Sequence, residues 1–314
     1  PYLSMDKDFE ASIIESFAKI LSNNHVYYGS KPVHWCIESE SALAEAEVEY
    51  QDIVSKSVYV VFNSKIENEN VGLVIWTTTP WTLPANRAIA VGEDIEYCIA
   101  KNGGKKYIFA ENLLVHIENE LNIKLDIIKK CTAKDLVKLE AKHPFYNIRV
   151  PVIIASHVTT ETGTGLVHIA PGHGQEDYLA GIENDLEVFN PVDAKGFYND
   201  SLEFFGGLNV RDADQPIIEH LKNNDCLLGI KDYTHSYPHC WRFKTPLIFR
   251  ATPQWFISME NNHLRDTVSD SIEKVEWIPD WGSERIKNMI NNRPDWCISR
   301  QRFWGVPIPL LVHK

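Results

Sequence analysis

The stretch GTGLVHIAPGHGQEDY, Gly163 to Tyr178, packs two histidines and the carboxylate of Asp177 into sixteen residues punctuated by glycines. Gly163 and Gly165 permit a turn or a close backbone approach, and residues 166–169, apolar except for His168, read as a short strand. Pro171, Gly172 and Gly174 interrupt the chain, and residues 175–184 have the composition of a helix whose first turn carries Glu176 and Asp177. A helix N-terminus favours an ionised carboxylate, so Asp177 is a candidate anchor for a cationic group such as a substrate ammonium. An ordinary helix-start acid is the plainer alternative. A metal site built from His168, His173 and Asp177 is a rival, although their spacing matches none of the familiar zinc patterns.

Outward from this stretch, 314 residues exceed what one small core needs and suggest a main domain with smaller units or an insertion. No apolar run approaches the roughly 18 residues of a membrane helix, and no basic segment followed by an apolar one opens the chain. A soluble, cytoplasmic protein without membrane contact is the expectation. Six cysteines without paired spacing fit reduced thiols. The net charge of −12 argues against a surface that grips nucleic acid everywhere. The C-terminal part departs from this, with Arg285, Lys287, Arg293, Arg300, Arg302 and Lys314 opposed only by Glu284 and Asp295.

Periodicity predicts helices over 8–24, with Asp8 as its cap, and over 111–121, 215–223, 262–272 and 282–291. Short β runs are expected at 58–62, 71–76, 87–91, 95–100, 106–109, 123–128 and 150–156, with residues 31–50 largely irregular. Many short strands with few helices predict a β-rich α+β fold, a barrel or a strongly curved sheet. A chain that opens on a lone helix suggests a fragment of a longer protein. The change to aromatic and basic texture places a domain boundary near Tyr233.

The second constellation is WTTTPWTLPANRAIAV, Trp76 to Val91. In an extended chain Thr77 and Thr79 face one side and Thr78 the other, until Pro80 ends regular pairing. Threonine also simply favours strands. Trp81, Thr82, Pro84 and Asn86 then form a rigid aromatic and polar turn suited to cradling a polar ligand.

WTTTPWTLPAN resembles the threonine-rich motif, and GTGLVHIAPGHGQEDY the second motif, of the editing insertion of class I isoleucyl-tRNA synthetases. Leucyl and valyl relatives typically carry Arg-Pro after two threonines, where this chain has Thr79, Pro80 and Trp81, and usually methionine or lysine at the place of His168. DWCISRQRFWGVPIP, Asp295 to Pro309, resembles the segment leading back into the nucleotide-binding domain of that family. HIGH and KMSKS do not occur, so ATP and magnesium would concern only a full-length enzyme. The resemblance implies a closed β-barrel editing domain over 48–233 with peripheral helices, flanked by connecting stems over 1–47 and 234–314.

The activity it implies is hydrolysis of the ester of mischarged tRNA, valyl-tRNA for isoleucine, and of valyl-adenylate. One missing methylene changes binding by only about 1–3 kcal/mol, a limit of which this family is the standing example, so a smaller second pocket must reject the correct product by size. The ester is already activated, so a held water and a fixed substrate suffice. By resemblance Asp177 holds the α-ammonium group; Thr77, Thr78, Thr79, Trp81, Thr82 and Asn86 surround the amino acid and terminal adenosine; and His168 closes the side-chain pocket. Asp177, Thr78, Thr79 and His168 are the candidate catalytic set, with no classical general base among them. The implied partners are tRNA for isoleucine, the valine product and the rest of the synthetase chain. A non-catalytic tRNA-binding module, or an editing domain of a valyl or leucyl relative, is the alternative. Many family members bind zinc through paired CxxC motifs on the stems; here Ser39 and Phe243 replace one thiolate of each pair, leaving Cys36 and Cys240, with His34 and His239 nearby, so structural zinc is not expected and editing needs no cofactor.

Overall fold

The 19-residue strand Val48–Ile66 is the axis of the molecule, and in the computed structural model, which describes residues 3–312, it serves two different surroundings. Its first half, through Lys56, is largely exposed and pairs with Leu227–Cys240 in a two-stranded ribbon that runs Val48↔Cys240 to Val60↔Leu227. Its second half, from Ser57 to Phe62, is buried without a break. Only that apolar part was legible as a strand from periodicity, since hydrophobic patterning marks burial rather than extension. The boundary expected near Tyr233 falls inside this ladder, opposite Ser55.

At Glu67 and Asn68, both with positive φ, the chain turns tightly into Glu69–Thr77, the backbone geometry that two-residue hairpin loops require. The resulting sheet has ten strands. Along its path the order is Leu166–Ile169, Ala88–Val91, Arg149–Ile154, Glu140–Lys142, Val48–Ile66, Glu69–Thr77, Lys105–Ala110, Glu96–Asn102 and Asp126–Thr132, with Leu227–Cys240 also joined to Val48–Ile66. Its core includes Phe62, Leu73, Ile75, Ile89, Ile108, Phe109 and Tyr97, all essentially inaccessible.

The expected closed barrel is corrected to a curled, open sheet. Its two ends, Leu166–Ile169 and Asp126–Thr132, share no ladder. The curl brings the first end near the middle, where the Ala110 N–H donates to the Thr164 carbonyl at 2.8 Å and the Tyr97 hydroxyl to the Gly165 carbonyl at 2.8 Å, without a strand ladder between them. Gly163 and Gly165, at φ +80° and +77°, turn the chain at this point, and a Cβ on Gly165 would lie 2.3 Å from that of Ala110. The other end is exposed along nearly its whole length. Its Lys129 and Lys130 pair with Glu67 and Glu111, the charged dressing that protects a sheet edge.

A second sheet of four strands orders Ser41–Leu43, Val26–Cys36, Ile248–Ile257 and Trp296–Cys297. Sequence reading left most of this sheet as irregular chain because Pro32 and Pro253 interrupt its two long strands. Both are accommodated in one antiparallel ladder, opposite Ala251 and Ser30 respectively. Helices Lys7–Ser22, Leu114–Leu121, Gln175–Glu183, Asp214–Asn223, Leu264–Ile272 and Trp281–Asn291 lie near their expected places. Asp6, not Asp8, caps the first: its Oδ1 accepts the Asp8 N–H at 3.0 Å.

Candidate active site

The threonine run ends the strand Glu69–Thr77 and enters the short 3-10 helix Pro80–Ala85. Thr77 and Thr79 do face one side, with their hydroxyls 3.2 Å apart and the Thr79 N–H donating to Thr77 Oγ1 at 3.1 Å. Thr78 and Thr77 both line a cleft of about 240 Å³ with Trp76, His157, Thr159, Thr162 and the Gly163–Val167 backbone turn.

On the other side of the motif, strand Leu166–Ile169 pairs antiparallel with Ala88–Val91 and carries His168 opposite Ile89. Strand alternation sends Val167 to the cleft and His168 to the opposite face, against the threonine turn. There a directional hydrogen-bond chain is complete. The Thr82 hydroxyl donates to the Thr79 carbonyl at 2.9 Å, so it must accept at 3.0 Å from His168 Nε2. His168 Nδ1 is then the acceptor for the Asn86 amide at 3.4 Å, and the same amide nitrogen donates to the Ala88 carbonyl at 2.8 Å. Burial pushes the imidazole down to about 4, with the neighbouring His173 adding to the shift. His168 is therefore a neutral ring with both nitrogens occupied. Asn86 is fully buried, and its Oδ1 has no hydrogen-bond partner among the described residues.

Asp177 lies in the first turn of helix Gln175–Glu183 and is tied to the end of the His168 strand, accepting the Ala170 N–H on Oδ2 at 2.9 Å. Gly172 makes this return possible, since a Cβ there would lie 2.2 Å from the Phe189 carbonyl oxygen. The helix end is opposed at Asp177 by desolvation of a half-buried side chain. Burial outweighs the Ala170 hydrogen bond, Glu176 adds like-charge repulsion, and the carboxyl is raised to about 7.

Trp81 is buried and packs edge-on against His173, ring centroids 5.1 Å apart. His173 hydrogen-bonds the Phe249 carbonyl through Nδ1 at 2.9 Å, which links the turn to the four-stranded sheet and takes His173 away from His168 and Asp177 as a co-ligand. Among the described residues no three His, Cys, Asp or Glu side chains converge as a metal site. Cys36 and Cys240 meet, buried with Leu43 and Leu247, and burial raises the Cys36 thiol, whose Sγ lies 3.4 Å from Glu38 Oε2.

Thus Thr77, Thr79, Thr82, Asn86 and His168 come together, Asp177 joins through Ala170, and Thr78 belongs to the adjoining cleft. His157, Thr159 and Thr162 were not singled out from sequence. Their signal was the threonine-rich run VTTETGTG, Val158 to Gly165, and His157 Nε2 is a further buried atom without a partner.

This chain belongs to the class I tRNA synthetases (I, L, M and V), whose family model matches residues 1–314. Its similar relatives include the isoleucine–tRNA ligase of Psychromonas ingrahamii, 49% identical over 100% of this chain and 35% of that protein. Another is the isoleucine–tRNA ligase of Mannheimia succiniciproducens, 48% identical with the same coverage. The chain thus spans about a third of the length of these curated relatives. Among solved structures, the editing domain of the P. falciparum cytosolic leucyl-tRNA synthetase overlays with a TM-score of 0.45 at 10% identity, over 55% of this chain and 98% of that one. Among the described residues no helix is long and apolar enough to cross a membrane.

Proposed function

We propose that this chain is the editing region of an isoleucyl-tRNA synthetase and hydrolyses the ester joining valine to tRNA for isoleucine, and valyl-adenylate by the same chemistry. The observation that carries this reading is the neutral His168, held by Thr82 and Asn86 as a fixed wall beside three threonine hydroxyls. A neutral ring with both nitrogens engaged suits a steric gate better than a proton carrier. Asp177 binds the α-ammonium of the substrate. The arriving cation favours the ionised carboxylate and displaces its proton.

Thr77 and Thr79 hold water near the ester carbonyl, while the unpartnered Asn86 Oδ1 accepts a substrate N–H or O–H. The cleft lined by Thr78, Thr159 and Thr162 receives the terminal nucleoside, with Trp76 as its aromatic wall. Holding the reactants in place is sufficient for an activated ester, so ATP and magnesium enter only where the chain forms part of a full-length ligase. In this reading residues 48–233 form the editing unit, 1–47 and 234–314 the stems, and tRNA and the remainder of a synthetase are the partners.

The non-catalytic tRNA-binding alternative rests on the basic C-terminal stretch, in which Arg300 and Lys287 are engaged internally. Arg300 pairs with Glu47 at 2.7 Å, and Lys287 with Glu273 at 2.5 Å; Lys314 lies outside the described residues. The test offers the purified chain valyl- and isoleucyl-esters of tRNA for isoleucine. Loss of the first ester alone is expected. Binding of both without hydrolysis favours the alternative.

A further inference from the structure

Trp81 is the hinge of the threonine turn, and its peptide is gripped from both ends by residues far away in sequence. Its N–H, at the start of helix Pro80–Ala85, has no acceptor within that turn and donates to Asp214 Oδ1 at 3.2 Å. Its carbonyl accepts the Tyr198 hydroxyl. Tyr198 is 2% exposed, and Asp214 begins helix Asp214–Asn223, which is fixed in the core by Ile217, Ile218 and Leu221. Water could satisfy an exposed turn. Here a half-buried carboxyl and a buried phenol take that place, and desolvation raises Asp214 to about 6 and Tyr198 well above its ordinary value.

The residue after Trp81 is Thr82, whose hydroxyl is the only acceptor found for His168 Nε2 among the described residues. A displaced Trp81 peptide therefore moves the group that orients the imidazole. We propose that Asp214 and Tyr198 are positioning residues: by clamping the Trp81 peptide they fix Thr82, and through it the ring of His168 that sets the size limit of the site. This rests on the hydrolytic reading for its consequence, while the clamp itself can be read without turnover.

The experiment follows two signals in the purified chain, the ring-nitrogen resonances of ¹⁵N-labelled His168, identified with His168→Gln, and the ratio of isoleucyl- to valyl-ester hydrolysis. Wild type should show a single Nε2–H tautomer. Tyr198→Phe, which keeps the ring and removes only the hydroxyl, and Asp214→Ala should each mix the tautomers. Each should raise the isoleucyl-to-valyl ratio about three- to tenfold, the range expected for one lost neutral hydrogen bond. Asp214→Asn retains an acceptor for the Trp81 N–H and should match wild type in both signals, a rescue that general loss of stability would not give. Unchanged His168 resonances in Tyr198→Phe and Asp214→Ala would overturn the clamp. Shifted resonances in a chain whose wild type hydrolyses neither ester would uphold the clamp and sink the hydrolytic reading instead.

Discussion

Trp81 and Trp281 show what separates the two ends of this molecule. Trp81 is 8% exposed, its peptide held at both ends and its indole hydrogen-bonded to the Tyr237 hydroxyl. Trp281 is 63% exposed at the start of helix Trp281–Asn291, and Ile278, Phe303 and Trp304 nearby are more exposed still. Neither helix Lys7–Ser22 nor Trp281–Asn291 buries a single residue, whereas the ten-stranded sheet buries strand Ala88–Val91 throughout. Burying polar groups costs free energy unless they are paired, and around the threonine turn Thr77, Thr82, Asn86 and His168 are all buried. Large exposed aromatics, by contrast, are what protein surfaces leave for a partner.

The largest effect that can break this contrast belongs to Asp177. Asp177→Ala should lower the rate of valyl-ester hydrolysis at least about 10- to 100-fold, the worth of one hydrogen bond to a charged group, with the fold, read by circular dichroism, retained. Rates near wild type would remove the ammonium anchor. His168→Ala comes next. If the ring fills the space that an extra methylene of isoleucine needs, its removal should let isoleucyl-tRNA be hydrolysed, changing the ratio of the two rates by up to about 10–200-fold. A lost general base would instead slow both esters by about 10²–10⁴-fold and leave their ratio alone.

A smaller effect is the pH dependence that Asp177 imposes. Its carboxyl is raised from 3.8 to about 7, so the ionised anchor gains population as pH rises through that value. The limb of kcat/KM below pH 7 should therefore climb with pH, a limb absent from Asp177→Asn. Stability runs the other way. The folded chain holds a proton that the unfolded chain has released between these two values, so this group makes stability fall as pH rises from about 4 to 7. Denaturant titrations of wild type and Asp177→Asn should diverge across that window, the variant becoming relatively more stable at the upper end.

The same contrast explains what could be read beforehand. Thr77, Thr79, Thr82, Asn86 and His168 were legible because short-range motifs carry them, and strand alternation already separated Thr78 from its neighbours. The ionisation of Asp177 was not legible. A helix start argues for a carboxylate, but desolvation depends on what packs over it, including the return of the chain to Ala170. Asp214 and Tyr198 were invisible for a related reason, being 133 and 117 residues from Trp81. The residues left a barrel and a strongly curved sheet both open, because local patterning counts strands but does not say whether the first meets the last. Pro32 and Pro253 concealed the four-stranded sheet by looking like breaks.

The smallest effect is the sharpest check on the exposed end. Trp281→Ser removes a large apolar side chain that makes little contact within the chain, so its stability should change by no more than about 0.5 kcal/mol, as for surface positions away from special features. Leu73→Ala, at a fully inaccessible position in the ten-stranded sheet, should cost about 2–5 kcal/mol in the same measurement. Valyl-ester hydrolysis should be unaltered by Trp281→Ser, because no described contact links that helix to the threonine turn. Self-association is where the substitution should register: if the exposed aromatics form an unsatisfied docking face, losing one should reduce concentration-dependent aggregation, read by light scattering. A stability loss approaching that of Leu73→Ala would show that Trp281 is part of a core, and the contrast between the two ends would then disappear.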